Sequence, residues 1–442
     1  MDLTAQRLVF RPGDAGYDEE IAGFQTGFTA RPALVVGAES ADDVAAAVSY
    51  AAERGLPVAV QATGHGLPGS SAGGVLISTR RMDGVRVDAA ARTATVGAGA
   101  RWGQVVEAAA PHGLAPLNGS SPGVGAVSYT LGGGLGILGR EFGYAADHVR
   151  SLRVVTADGT PRQVTADRDP ELFRGLLGGG AALGVVTELE TGLVPVARLY
   201  GGAIGFDGGA GDPAALLSGY ERWTRTLPET LTSSLAALRY PDIPQLPPHL
   251  RGRRLLTVRV AFTGTAAEGE RLVAPLRKLG PAVSDTLREM PYAESHTIHS
   301  DPDFPHAYYG DSVVLSGLDV RAAGALLALT GPDAASMHVV QFNHLGGALA
   351  RPAANAVPYR DAGWLVRVLS PLDGTDVASV RAAHAAAFGP LAERTMGRSL
   401  NFAFGGGDRT EGLHDPETRK RLAGLKAMYD PANLFRRDYG TA

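Results

Sequence analysis

The chain has 442 residues, 45% hydrophobic and 19% charged, enough apolar material for two or three packed domains, which excludes a disordered chain. Its formal net charge of -4, from 41 basic and 45 acidic residues, offers no bulk attraction to nucleic acid or to an anionic membrane surface. No cysteine is present, so disulfides, thiolate zinc sites, thiol nucleophiles and cysteine-ligated iron–sulfur clusters are all excluded.

The elements read in chain order as follows. An apolar run at 33–38 (ALVVGA) predicts a strand, and Ser40 caps a helical pattern over 41–54 with Gly55 just past its end. Residues 57–63 (PVAVQAT) and 74–80 (GVLISTR) predict strands on either side of a glycine-bearing loop at 64–73. Strands at 85–87 and 93–96, a helix at 102–110 and a hairpin of 149–156 with 162–165 around Asp158-Gly159 come next. Between them, residues 119–143 (GSSPGVGAVSYTLGGGLGILGREFG) are too interrupted by glycine for long regular elements. Their expected use is to bring backbone N–H groups against something flat or anionic. After a short helix capped by Asp169-Pro170, LGVVTELETGLVP predicts a strand ending at Pro195, and a domain boundary is placed there.

Residues 197–400 cluster glycine less and carry a proline-rich connector at 241–249, amphipathic helical stretches near 212–226 and 265–279, and a strand at 255–262. The tail has glycines at 405–407, a helix over 416–428 and the closing phrase Tyr429-Asp430-Pro431-Ala432-Asn433-Leu434-Phe435. No apolar run approaches the roughly 18 residues of a membrane span, and the N-terminus has no basic segment followed by an apolar one, so a soluble, cytoplasmic protein is expected. The elements predict an α+β chain without a regular βαβ rhythm.

Two nucleotide-binding motifs are rejected. Gly64-His65-Gly66-Leu67-Pro68-Gly69 spells G-x-G-x-x-G after a strand, but Ser70-Ser71-Ala72-Gly73-Gly74 and another β run follow, leaving no room for the helix that the dinucleotide fingerprint requires. The only lysines, Lys278, Lys420 and Lys426, do not stand in a G-K-[ST] context.

Four ordered motifs, ATGHG at 62–66, SSPGVGAVSYTLGGGLGILGREFGYAADHV, LGVVT and YDPANLF, together resemble the vanillyl-alcohol-oxidase-type flavoproteins with a PCMH-type FAD-binding domain, and within them the berberine-bridge-enzyme-like branch. The resemblance spans the whole chain, strongest at 31–195 and 401–436. It implies an FAD-binding domain at 1–196, an inserted α/β substrate domain at 197–400, and a segment at 401–442 completing the first. It also implies FAD held by Ala62, Thr63, Gly64, His65, Gly66, Gly69, Ser120, Ser121, Gly125, Ala126, Ser128, Tyr129, Gly134, Gly136, Gly184, Val185, Val186, Asn401 and Asn433. Glycine-rich loops can supply N–H donors to a pyrophosphate without a lysine clamp.

In such proteins a histidine at the place of His65 is joined covalently to the flavin 8α carbon. The second tether of many relatives, a cysteine at flavin C6, is replaced here by Ser121, so no 6-S-cysteinyl link is expected. Val124 stands where the family gates oxygen, and a small β-branched residue there resembles the oxidases. Two departures are plain: Leu135 stands where plant members place a tyrosine, and Asn401-Phe402 replaces an Asn-Tyr pair.

The implied activity is an FAD-dependent oxidase that takes a hydride from an alcohol, amine or related C–H of a secondary metabolite or sugar, with O2 reoxidising the flavin to give H2O2. A same-fold dehydrogenase and a non-redox cyclase retaining FAD are the alternatives. One of Asn343 or His344, on a strand leading into Gly346-Gly347, is the candidate proton acceptor. Strand alternation puts Asn343 with Gln341 and His344 with Phe342, so only one set is expected to line the cavity. Tyr309, beside Tyr308, is a further catalytic candidate. No metal site is expected, since His296 and His299 lack the i, i+4 spacing of a metalloprotease helix. No lysine or arginine is arranged in 197–400 to announce a phosphate or carboxylate, and an uncharged, fairly large secondary metabolite or a sugar is compatible with that. The expected partners are a small molecule and O2, without nucleic acid or membrane, in a monomer or homodimer.

Overall fold

The structure, a computed structural model, describes residues 8–66, 71–244, 246, 250–334, 336–372, 374, 376–405 and 411–436. Two smaller sheets come from the first 192 residues. Strands β1 (Leu34–Gly37), β2 (Val58–Gln61) and β3 (Val75–Ser78) are parallel in the order β1-β3-β2, with Val9–Phe10 antiparallel on the β1 edge. The side chains of β1 and β3 are buried throughout, as expected of parallel strands covered on both faces. Helix α1 (Ala41–Glu53) covers one face. Ser40 Oγ accepts from the Asp43 N–H while the Asp43 carboxylate accepts from the Ser40 N–H, a reciprocal cap.

The second sheet is antiparallel: β4 (Val85–Asp88), β5 (Thr93–Gly97), β6 (Val149–Val155), β7 (Pro161–Thr165) and β8 (Val185–Gly192), in the order β7-β6-β8-β5-β4. Against it pack α2 (Trp102–Ala109) and the six-residue α3 (Ala126–Leu131) in one hydrophobic cluster. Within 119–143 only α3 and the four-residue helix Gly139–Phe142 are regular α-helix. The helix Pro170–Gly179 follows, but Asp169, with φ 54° and no side-chain cap bond, does not act as the N-cap acceptor expected of it.

The third sheet has nine strands. Its centre is β9 (Arg198–Asp207), β10 (Leu231–Arg239), β11 (Arg254–Phe262), β12 (Tyr308–Leu315), β13 (Val339–His344) and β14 (Trp364–Pro371), ordered β9-β11-β10-β13-β14-β12. Alternation divides its faces. Leu256, Val258, Val260 and Phe262 of β11, Val340 and Phe342 of β13, and Trp364, Val366 and Val368 of β14 pack with Tyr220, Trp223 and Leu326 of the covering helices. The opposite face carries Arg259, Ser234, Gln341, Asn343 and Arg367. The register sets Ser234 beside both Arg259 and Asn343, and Gln341 beside Arg367.

The closing phrase is a clamp. Asp430 is 1% exposed. Its carboxylate accepts from the N–H groups of Leu434 at 2.7 Å and Phe435 at 2.8 Å and pairs with Lys426 of the helix Pro416–Tyr429. The Val58 N–H then donates to the Leu434 carbonyl at 2.9 Å, tying the tail to β2. Asn433 takes φ 53° in this turn. No helix of the described residues is long and apolar enough to cross a membrane.

Candidate active site

A cavity of about 510 Å³ runs from β2 and Phe435, past the glycine-rich segments, to the polar face of the nine-stranded sheet. Its size falls in the usual range for cofactor and small-molecule sites. Sixteen of the residues expected from the sequence line it: Ala62, Thr63, Gly64, His65, Gly66, Ser120, Ser121, Val124, Ser128, Tyr129, Gly136, Val185, Val186, Asn343, His344 and Asn401. Gly69 lies outside the described residues.

Six others stand outside the wall, each for a local reason. Gly125 and Ala126 begin α3, their N–H groups already bonded to Thr63 Oγ1 and the Ala100 carbonyl. The Gly134 N–H donates to Asn401 Oδ1, and a Cβ on Gly134 would stand 2.7 Å from Ala145 and Tyr129. Gly184 abuts Val154 and Val155 of β6. Asn433 serves the tail turn. Tyr309 falls by alternation on the face of Val313 and Leu315, its ring 5.0 Å from that of His384, whereas Tyr308 occupies the cavity face. Of this tyrosine pair, only Tyr308 lines the cavity.

Gly64 has φ 69°, and a Cβ there would meet Gly23 Cα at 2.6 Å. The turn therefore needs glycine, and it delivers His65 to the wall. The imidazole stacks on Phe24, centroids 3.9 Å apart, Nδ1 lies 2.8 Å from Thr63 Oγ1, and the buried Nε2 has no partner. Burial, aided by Arg101 and His306, pushes its pKa down to about 4, so the ring is neutral at pH 7.

His344 also lines the cavity, so the expectation that only one of the Gln341/Asn343 and Phe342/His344 sets could do so fails: His344 closes its strand and reaches the wall at the sheet's end. Arg140, 5% exposed, donates from Nη1 to His344 Nε2 at 3.2 Å and is itself held by the carbonyls of Leu231 and Leu345. Burial and the Arg140 charge push the His344 pKa down to about 3. The proton thus sits on Nδ1, which is buried and unpartnered, leaving this ring a donor rather than a base. Asn343 is committed too: its Oδ1 accepts from Gln341 Nε2 at 2.7 Å and its Nδ2 donates to the Leu365 carbonyl at 3.1 Å. Asn401 braces the glycine segment, Oδ1 on the Gly134 N–H and Nδ2 on the Tyr129 carbonyl.

Several wall residues escape sequence reasoning. Arg259 and Arg367 contradict the reading that no arginine is arranged on this part of the chain. Asp301 and His299 join them from the segment after Ile298. Asp301 accepts from Ser120 Oγ. Burial works to raise its pKa, but the charges of Arg367 and Arg259 and the hydrogen bond from Ser120 outweigh it and hold the carboxyl below its usual range. It is the only acidic residue in the wall among the described residues. His299 is driven down by burial and by Arg259, and stays neutral. No group of three His, Asp or Glu among the described residues is arranged to hold a metal ion.

Buried polar groups are ordinarily paired. Eleven buried side-chain nitrogens and oxygens among the described residues are not, and eight of them belong to this wall: Gln61 Oε1, His65 Nε2, Tyr129 Oη, Ser234 Oγ, Arg259 Nε and Nη1, His299 Nδ1 and His344 Nδ1. Such a concentration suits a large ligand with polar atoms along its length.

Residues 32–165 match the family model described as an FAD binding domain. Over 99% of this chain and 97% of its own length, (R)-6-hydroxynicotine oxidase of Paenarthrobacter nicotinovorans is 29% identical. The crystal structure of 6-hydroxy-D-nicotine oxidase from Arthrobacter nicotinovorans superposes with a TM-score of 0.86 at 26% identity, covering 100% of this chain and 99% of that one. Glucooligosaccharide oxidase of Acremonium strictum, described with a 6-S-cysteinyl, 8α-N1-histidyl FAD, has the same fold, with a TM-score of 0.83 at 22% identity over 98% and 96% of the two chains. FAD fits the site. Its pyrophosphate would meet main-chain donors on a wall without lysine, and its polar atoms would be partners for the unpaired Gln61 and Tyr129 atoms on the side of the two smaller sheets. Matching domain, whole-chain relatives and a wall suited to the cofactor agree: this chain is an FAD-linked oxidoreductase of the vanillyl-alcohol-oxidase, PCMH-type superfamily.

Proposed function

We propose that this chain is an oxidase of the berberine-bridge-enzyme-like branch, removing a hydride from a carbon that bears a hydroxyl or amine on a small organic substrate. The observation that carries the reading is the gathering of unpaired buried polar atoms on a single wall shared by the glycine-rich segments and the polar face of the nine-stranded sheet. FAD held in this wall would supply the hydride acceptor, with O2 as the final electron acceptor and H2O2 as its product.

The chain's own residues orient the substrate and move its proton. His344 presents an Nδ1–H donor fixed by Arg140, and Tyr308, whose hydroxyl donates to the His65 carbonyl at 2.6 Å, packs against His306. Asp301, ionised and in the wall, takes the hydroxyl or ammonium proton, a role that neither Asn343 nor His344 is free to fill. His65, neutral and with one nitrogen unpartnered, is the attachment point for the flavin 8α carbon. The absence of cysteine leaves this as the single tether.

The test is a purified preparation precipitated with acid. Yellow colour in the pellet of the parent protein and in the supernatant of His65→Ala supports the tether, and colour retained in the variant's pellet refutes it. Peroxide formed in air, with anaerobic bleaching by the same substrate, supports the oxidase. Bleaching without reoxidation by oxygen would make it a dehydrogenase.

A further inference from the structure

Arg259 is on the polar face of β11 with Nε and Nη1 buried and unpartnered. Its cross-strand neighbour Ser234 also has a buried hydroxyl without a partner. Arg367, on the same face, gives Nε and Nη2 to a single acceptor, Gln341 Oε1, at 3.0 and 2.6 Å, and stacks its guanidinium 4.9 Å from the Phe402 ring centroid. A guanidinium does not lose its proton in a protein, so two positive charges face the cavity here. Against them stands Asp301 alone, which spends a hydrogen bond on Ser120 and lies beyond ion-pairing distance of either arginine. With His299 neutral, the cluster carries one uncompensated positive charge in a desolvated wall, a costly arrangement unless a ligand completes it.

We infer that the substrate of this site carries a carboxylate, bound by Arg259 and Ser234 with Arg367 beside them, so that the oxidised carbon belongs to an organic acid rather than to a neutral sugar or alkaloid. The inference rests on the proposed function, since it names the substrate class of the same cavity. A monoanion balances the charge, and a planar carboxylate matches the guanidinium fork. Without an acceptor from a ligand, the buried Arg259 N–H groups stay unpaired.

The test is calorimetric titration of the holoenzyme with benzoate and with benzamide, which has the same shape and no charge. Benzoate is expected to bind about 100-fold tighter, and Arg259→Gln to remove that preference while leaving flavin content and benzamide affinity unchanged. Arg259→Lys, which keeps the charge and loses the fork, should recover part of it. Equal affinity for the two probes, binding of neither, or an undiminished preference in Arg259→Gln would overturn the carboxylate site. A preference that survives in Arg259→Gln together with a lowered flavin midpoint potential would mean that Arg259 serves the flavin instead. Failure of the oxidase reading is seen separately, as a protein unable to hold FAD or bleached by no substrate. The two ideas therefore fall to different results. Matched hydroxy acids and their methyl esters extend the test, the acids alone being expected to bleach the flavin without oxygen.

Discussion

On the side of the two smaller sheets the cavity is walled by main chain and small side chains, residues 58–66, Gly119, Gly132, Gly136, Gly179 and Gly180 among them, whereas the nine-stranded sheet presents Arg259, Ser234, Gln341, Asn343 and Arg367. The first wall works by backbone position, so its demands are written as clustered glycines and a turn with φ 69° at Gly64. The second works by single side chains on the cavity face of four different strands, which a sheet brings together only after folding. A wall made of backbone should fail when its conformation is forced, and a wall made of side chains should lose function while the fold stands. That contrast can be broken by experiment.

The largest expected effect is on the clamp that holds the first wall. Asp430→Ala removes the acceptor for the Leu434 and Phe435 N–H groups and the carboxylate that pairs with Lys426, whose partly buried ammonium keeps the Ala182 and Phe435 carbonyls but loses its countercharge. We expect a loss of about 3–5 kcal/mol, read as a lower denaturant midpoint, together with weaker FAD retention. Gly64→Val comes next. A β-branched residue at φ 69°, with its Cβ 2.6 Å from Gly23, should cost roughly 2–3 kcal/mol and displace His65, so acid-stable flavin should fall to background. If Gly64→Val retained both stability and the tether, the backbone wall would not be what positions the cofactor. Arg259→Gln, by contrast, should leave the thermal midpoint within a few degrees while removing the carboxylate preference.

The same contrast explains how much was legible in the sequence. The strand and helix pattern over 33–96 and the cap at Ser40 were readable because parallel buried strands are continuous apolar runs and helix starts carry side-chain signals. The glycine segments pointed to the right cavity. Yet Gly125, Gly134 and Gly184 turned out to serve close packing, since a glycine required by a neighbour and a glycine required by a ligand look alike in one sequence. Arg259 and Arg367 stand in the same tripeptide, Val-Arg-Val, flanked by core valines, and that pattern does say that each arginine faces away from the apolar side. Arg86 stands in a third such tripeptide, on an exposed edge strand. Alternation gives the face, therefore, but not whether solvent or a cavity lies beyond it. Tyr309 was mistaken for the same reason: adjacent tyrosines on a strand must point opposite ways, and only the register of β12 shows which faces inward.

A smaller, pH-dependent effect marks the apolar side of the same sheet. His384 is 1% exposed and bonds Ser370 Oγ at 2.7 Å, and burial, with His338 nearby, pushes its pKa down to about 3. The native state therefore refuses a proton that the unfolded chain takes up below about pH 6.5. Stability from this group is full above that pH and is lost as the pH falls from 6.5 toward 3, by at most about 1.4 kcal/mol per unit. Urea midpoints measured at pH 7.5, 6 and 5 should decline, and His384→Gln should make the decline shallower. An unchanged slope in the variant would assign the decline to the wall histidines instead.

The smallest expected change bears on chemistry alone. Val124 lines the cavity at the end of the Ser121 turn, its carbonyl accepting from the Trp102 N–H at 3.0 Å, so its backbone is fixed and only the side chain varies on substitution. Val124→Leu adds one methylene group to a wall that O2 must approach, at a partly buried position packed against the hydrophobic cluster of the second sheet. Stability should move by less than about 1.5 kcal/mol and the anaerobic rate of flavin reduction should hold, while reoxidation by oxygen slows several-fold in stopped flow. Slowing of both half-reactions would mean that the substitution has shifted the Ser121 turn, and an unaltered reoxidation rate would mean that oxygen reaches the flavin from the side of the nine-stranded sheet.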